Sequence, residues 1–175
     1  INLSVGGDEA ADLMKDAVRY AYDKEVVVCA ASGNDGSYVL YPAAYDAYVL
    51  AVAATDYNDV RPAWSNPGSQ VDVAAPGVRI ACPVPTWFWA ANGGSAGDDP
   101  YAFADGTSMA SPHAAGLAAL ILGLKPELSA GNVLDVIRYS ADDVNASAKR
   151  GKDSDIGYGR INMAKALVPI KITAR

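Results

Sequence analysis

"VVVCAASGNDG", residues 26–36, decides how the rest of the chain is read. From Glu25 to Ala31 the run is continuous, apolar and rich in β-branched residues. A strand with one wet face would alternate, so this pattern predicts a strand buried on both sides. The Ser32-Gly33-Asn34-Asp35-Gly36-Ser37 that follows is a turn by composition. The turn leaves Asn34 at the carboxyl end of a sheet strand, where open α/β sheets gather their ligand sites. Asn34 then has two readings: an amide able to donate to a developing oxyanion, or an ordinary turn residue.

Working outward, Ile1–Val5 reads as a short strand stopping at Gly6-Gly7. Asp8 is a candidate cap for a helix over 9–24, where Leu13, Ala17 and Tyr20/Ala21 recur at helical spacing. Residues 48–54 form a second buried strand, and 71–74 and 78–82 are shorter candidates. Residues 83–105 read as irregular. Residues 107–124 predict a long apolar helix, and Ser129 caps another to about Ala141. A polar loop over 141–159 and a short helix over 162–167 close the chain. The order predicts an α/β fold: one partial domain over 1–175, a mostly parallel sheet with helices on both faces.

Composition narrows the class. The 175 residues are 51% hydrophobic and 19% charged, which is globular rather than disordered. The net charge of −6 argues against nucleic acid as a partner, because phosphate binding needs a basic face. No apolar run reaches the roughly 18 residues of a membrane span, so no membrane partner is expected. Cys29 sits in an apolar run and is expected to be a buried free thiol. The chain opens at Ile1 inside a strand with no leader-like segment, the pattern of a fragment or a processed product.

The chemistry concentrates in "GTSMASPH", residues 106–113. Ser108 opens the long helix, whose first N–H groups and dipole favour developing negative charge. It reads either as a nucleophile or, with Thr107, as an ordinary helix cap. A serine nucleophile needs a base. The sole histidine, His113, lies five residues further along the same helix, roughly 140° around it, and cannot reach Ser108. It is expected to be a packed structural residue. "INLSVGG" is a strand that a peptide can extend, or an ordinary strand-to-helix turn. The aromatic Trp87-Phe88-Trp89 either lines a groove or pins a long loop to the body. Asp98-Asp99, Asp142-Asp143 and Asp153/Asp155 are calcium ligands or solvated loop charges, none at EF-hand spacing.

Taken together and in order, "GTSMASPH" with "AAGLAAL", "ASGNDG", "INLSVGG", "YPAAYDAYVLAVAATD", "WSNPGSQVDVAAPGVRI" and "GYGRINMAKAL" resemble the subtilisin-like serine proteases. The resemblance covers nearly the whole chain, with 83–105 the least typical part. It implies a serine endopeptidase with Ser108 as nucleophile, and the Asn34 side chain and Ser108 N–H as oxyanion donors. It implies Ser4, Val5 and Gly6 pairing with the substrate backbone, and Ala31, Ser32 and Gly33 walling the pocket for the residue before the scissile bond. It places Leu40 at that pocket's base. No cofactor is implied for catalysis. A structural calcium is, from the carbonyls of Ala43, Tyr45 and Tyr48 with Asp72. Secretion is implied by the family alone.

The departure is that a subtilase triad runs Asp, His, Ser along the chain. Only the part after Asp and His is present, so a preceding segment is the expected partner and this chain alone is expected to be nearly inactive. A bare sheet edge beside Ile1 then predicts aggregation or dimerisation. Asn34 rather than Asp separates the chain from the acid sedolisin branch, and Gly-Thr-Ser-Met-Ala does not fit the G-x-S-x-G elbow of α/β-hydrolases. The competing reading is a catalytically inactive half-domain or pseudoprotease that binds peptides or serves as a scaffold.

Overall fold

The computed structural model describes residues 1–95 and 100–168. Asp98-Asp99 fall outside them. The described elements are β1 (Asn2–Leu3), α1 (Asp12–Asp23), β2 (Cys29–Ala31), β3 (Leu50–Thr55), β4 (Val71–Pro76), β5 (Ile80–Pro83), α2 (Thr86–Ala91), β6 (Tyr101–Ala104), α3 (Thr107–Leu124), α4 (Ala130–Ser140) and α5 (Met163–Ala166).

Strands β1 to β4 form one sheet in that order, every neighbouring pair parallel. Residues Leu50–Thr55 are all buried because both faces are covered. Leu50, Val52 and Ala54 pack with Val73, Leu117, Val133 and Ile137 on the face of α3 and α4. Ala51 and Ala53 pack with Val18 of α1, Val39 and Tyr45 on the other. The period of two thus sorts residues between two dry faces, which is why no polar alternation shows in the sequence.

Helix α3 crosses the sheet. Thr107, Ala110, Ser111, Ala114, Leu117, Ala118 and Ile121 form its buried stripe, the helical spacing of an amphipathic element. Ser129 caps α4 by accepting from Asn132 N, as its sequence predicts. Against the sequence expectation, α3 is long and apolar enough by length and composition to cross a membrane. Its inner face lies on the sheet and α4, the packing of a core helix.

Four further expectations change. The first helix begins at Asp12 with Ala11 at its cap and no side-chain cap bond, so Asp8 does not start it. The strand run shortens to Cys29–Ala31, because Glu25 sits at φ 61. There its carboxylate accepts from Ala130 N at the start of α4. The described residues of 83–105 carry regular structure: β5 and β6 pair antiparallel, with α2 between them in the chain. Trp87-Phe88-Trp89 does not pin this excursion down, since α2 buries no residue. Cys29 and Cys82 are both free, and Cys29 is buried as expected.

Candidate active site

Because the sheet is parallel, β1 and β2 deliver their following residues to one edge, and α3 begins at that edge. A cavity of about 200 Å³ there is lined by residues from three stretches: Ser4, Val5 and Gly6; Ala31, Gly33, Asn34, Asp35 and Leu40; Thr107 and Ser108. Of the residues singled out from the sequence, only Ser32 stays off the cavity. It is fully buried, its N–H donates to Val52 O and its carbonyl accepts from Leu40 N. Its place is in the sheet, holding the pocket wall.

The start of α3 is set by Gly106, at φ 154 and ψ 156, a region essentially closed to other residues. Its N–H donates to Gly77 O at 2.8 Å. The turn exposes Thr107 N–H and Ser108 N–H, two first-turn donors with no carbonyl a turn earlier. Thr107 N–H donates to Asn34 Oδ1 at 2.9 Å, and Thr107 Oγ1 donates to the same oxygen at 2.9 Å. Two donors on one oxygen fix which way the Asn34 amide faces. They leave Nδ2 as its available donor, and Asn34 and Ser108 line the same cavity. Thr107 Oγ1 also accepts from Gly33 N at 3.2 Å, so the fully buried Thr107 joins both halves of the site.

A second residue that sequence reasoning missed is Asn66, also fully buried. Its Oδ1 accepts from Asp35 N and Ser37 N, its Nδ2 donates to Tyr38 O, and its N–H donates to Gly33 O. These bonds clamp the whole 33–38 turn. Gly33 is at φ +116, and a Cβ there would fall 2.2 Å from Asn66 Nδ2. The only sequence signal for this residue is its place in "WSNPGS".

Ser108 is half-buried. Its Oγ donates to Ser4 O at 3.4 Å, and Ser4 Oγ donates to Ser108 O at 2.8 Å. Asn2 Nδ2 donates to Ser4 Oγ and Ser111 Oγ donates to Asn2 Oδ1, so β1 is laced to the first turns of α3. No imidazole or carboxylate is bonded to Ser108 among the described residues. His113 contacts Met109 O at 2.8 Å through Nδ1. It is exposed, not packed as expected, because it lies on the outward side of α3.

Leu40 closes the cavity. A Cβ at Gly6 would meet Leu40 Cβ and Cδ1 at 3.0 Å, and one at Gly33 would meet Leu40 Cγ at 2.9 Å. The leucine side chain therefore lies between the two walls. Tyr41 exchanges both main-chain bonds with Gly7 at 2.9 Å, tying the walls together below it.

Asp72 does not fit the ion it was expected to help hold. Its Oδ2 accepts from Ala51 N and its Oδ1 from Arg138 Nε, both at 2.9 Å. A guanidinium already supplies the positive charge. Burial pushes the Asp72 carboxyl up from its ordinary value, while Arg138 and the Ala51 N–H hold it down. Asp142 is bonded by Arg160, Asn162 and Lys165, and Asp155 pairs with Lys149 and Arg61. Among the described residues no group of three or more His, Cys, Asp or Glu side chains is placed to hold a metal.

The fold and this edge define a class: a parallel α/β sheet presenting a helix-opening serine beside a fixed amide donor. A sequence profile described as the Subtilase family matches residues 1–159. Subtilisin DY of Bacillus licheniformis is 40% identical over 157 residues, which is 87% of this chain and 53% of that protein. Thermitase of Thermoactinomyces vulgaris is 38% identical, over 95% of this chain and 53% of its own length. Among solved structures, fervidolysin from Fervidobacterium pennivorans, described as a keratinolytic enzyme related to subtilisin, superposes with a TM-score of 0.84 at 32% identity. That match covers 98% of this chain and 27% of fervidolysin. The chain belongs to the subtilase family. It spans about half the length of the first two of these relatives.

Proposed function

We propose that these residues are the nucleophile-bearing part of a serine endopeptidase. One arrangement carries the reading: Asn34 Oδ1 is pinned by Thr107, which leaves Asn34 Nδ2 and Ser108 Oγ on one cavity. In this reading Ser108 Oγ attacks the peptide carbonyl. The negative charge that develops on the carbonyl oxygen is met by Asn34 Nδ2 and Ser108 N–H, donors fixed before the reaction starts. The acyl side of the peptide lies along Ser4–Gly6, with Ala31 and Gly33 as the facing wall. Leu40 shortens the pocket, so Ala or Leu before the scissile bond is cleaved better than Phe or Tyr. The chemistry needs no cofactor.

Ser108 still needs a base, and an imidazole held by a carboxylate has to come from residues outside these 175. Two observations support where that segment docks. The outer edge of β1 has no strand beside it among the described residues. Next to it a cavity of about 260 Å³ is lined by Ile1, Val27, Cys29, Ala115, Ala118 and Leu122. Secretion belongs to the same proposal and is carried by family membership alone.

The test is a fluorophosphonate probe applied to the complete gene product carrying these residues. Labelling at Ser108, lost in Ser108→Ala, supports the enzyme. Absence of labelling with retained peptide binding supports the competing reading, a peptide-binding half-domain without catalysis. That reading gives no reason for Thr107 to hold the Asn34 amide in a single orientation.

A further inference from the structure

We propose that Asn66 is the positioning residue for both halves of the site: its amide oxygen holds the main chain that carries the Asn34 donor, and its amide N–H holds the approach to Leu40 that sets pocket depth. This rests on the protease reading above and names the side chain that keeps that site in shape.

The turn it serves does not hold itself. Residues 34–38 are all exposed, so no apolar packing fixes them. A segment without burial keeps one shape only through its hydrogen bonds. Thr107 bonds the Asn34 side chain and the Gly33 N–H. The rest of the turn is held from the opposite side, by residues 64–66. Gly36 N–H donates to Trp64 O at 2.8 Å. Asn66 N–H donates to Gly33 O at 3.0 Å, and Asn66 Oδ1 accepts from Asp35 N at 2.8 Å and from Ser37 N at 3.2 Å. Asn34 is thus bracketed by one residue, which bonds the carbonyl before it and the N–H after it. Two main-chain donors on Oδ1 also settle which end of the Asn66 amide is which, and direct Nδ2 to Tyr38 O at 2.7 Å, two residues before Leu40.

Asn66 is anchored away from the cavity. It is fully buried, and its neighbours are tied elsewhere: Ser65 Oγ accepts from Ala54 N in β3 at 3.0 Å, and Gly68 N–H donates to Ser154 O at 2.8 Å. No residue of 61–68 lines the cavity, so Asn66 acts through the turn and not on a substrate. The link to the pocket is close in space. A Cβ on Gly33 would fall 2.2 Å from Asn66 Nδ2 and 2.9 Å from Leu40 Cγ, so the amide and the leucine meet at the same glycine. Burying an amide costs free energy unless its polar atoms are bonded. Every side-chain bond of Asn66 goes to residues 35–38.

Two variants of the complete gene product separate the two halves of the amide. Asn66→Asp keeps an acceptor for Asp35 N and Ser37 N and loses the donor to Tyr38 O. Asn66→Ala loses both. The substrates are two p-nitroanilides that differ only in Leu or Phe before the scissile bond, and kcat is taken per site titrated with a fluorophosphonate, which removes any unfolded fraction. In Asn66→Ala, kcat is expected to fall about tenfold, and the native Leu-to-Phe ratio in kcat/KM to shift by about fivefold or more. In Asn66→Asp the ratio shifts alike while kcat stays within about threefold of native. A residue that only supports the fold lowers the melting temperature and the titrated fraction and moves neither number. Native kcat and ratio in Asn66→Ala overturn the proposal, as does a kcat loss in Asn66→Asp equal to that in Asn66→Ala. Should Asn66→Ala not fold, Asn66→Asp decides alone: near-native kcat with a shifted ratio upholds the assignment, and any other result overturns it. If the native protein cleaves neither substrate, the protease reading fails, and Asn66 is judged by isothermal titration with peptides ending in Leu or Phe. A preference lost in Asn66→Asp upholds its hold on the pocket. A preference that survives, or none in the native protein, overturns it.

Discussion

The first turn of α3 and its outward face belong to one 18-residue helix and end in opposite conditions. At the first turn, Thr107 is bonded to Asn34 and Gly33, Ser108 to Ser4, and Ser111 to Asn2. Along the outward face, Pro112, His113, Gly116, Leu120 and Leu124 are exposed, Leu124 at 64%, and the His113 contact with Met109 O stays within the helix. The difference separates two kinds of dependence. Orientation of the Asn34 amide is settled within this chain. In the proposed reading, cover for the helix and the base for the serine come from residues outside these 175.

The largest expected effect removes the centre of the self-contained end. Ser108→Ala in the complete gene product is expected to lower kcat by about 10⁴- to 10⁶-fold, with only the residual catalysis of binding and the oxyanion donors left. Active-site titration of both proteins measures it. A loss under tenfold would move the nucleophile elsewhere and remove the contrast between the two ends of α3.

Next comes the interior the two ends share. Arg138→Ala leaves the Asp72 carboxylate, 1% exposed, with only the Ala51 N–H. An uncompensated buried charge costs about 3–5 kcal/mol. Urea unfolding of both proteins reads that loss. Arg138→Met with Asp72→Leu together should recover most of it, because the pair is removed whole.

The oxyanion end is probed by Asn34→Ala, with an expected loss of about 10²- to 10³-fold in kcat and little change in KM, a magnitude known from a subtilisin. Thr107→Val keeps one of the two bonds to Asn34 Oδ1 and should cost about tenfold, also in kcat. An equal rise in KM for Thr107→Val would mean that the threonine holds the pocket wall rather than the amide.

The uncovered end is probed by Leu120→Glu, which should have opposite effects in two settings. In the 175-residue chain it is expected to reduce the self-association that an open apolar face promotes. If the proposed segment covers the face in the complete protein, a buried glutamate there should cost about 1–3 kcal/mol. Sedimentation velocity and thermal melting read the two effects. A chain that is monomeric without the substitution would show that the face needs no cover.

The sequence carried the bonded end well and the open end poorly, for physical reasons. The buried strands, α3 and the Ser129 cap are legible because each is written in a local pattern of spacing or cap chemistry. Asn34 and Ser108 are legible as candidates because turn and helix-start residues have restricted identities. Asn66, and the bridging role of Thr107 beyond its reading as a cap, were passed over because their work is done across 31 and 73 residues of chain, where no local pattern reaches. A strand near β5 was legible at 78–82, but β6 and its pairing with β5 were missed because a strand with its rings outward breaks the rule that large apolar residues face inward. His113 was expected to be packed because an apolar helix normally has cover on every side.

The smallest expected effect lies at the closing end of the chain, far from either end of α3 in sequence. Asp142 is held below the ordinary carboxylate range by the Lys165 ammonium at 2.5 Å, then by Asn162 and Arg160. The same Arg160 pairs with Asp59, so one carboxylate ties α5 to two loops. A carboxyl lowered in the folded state stabilises it above its unfolded value near 4, and that contribution fades as pH falls through the lower folded value. Asp142→Asn should therefore cost about 1 kcal/mol at pH 7, modest because the pair lies near solvent. The cost should shrink toward zero as pH falls below the ordinary carboxylate range and through the lowered folded value. Urea midpoints of the complete protein and the variant across that range measure it. A cost that stays constant with pH would mean that Asp142 acts through its amide-like hydrogen bonds to Asn162 and not through its charge, and the closing segment would then be held as locally as the first turn of α3.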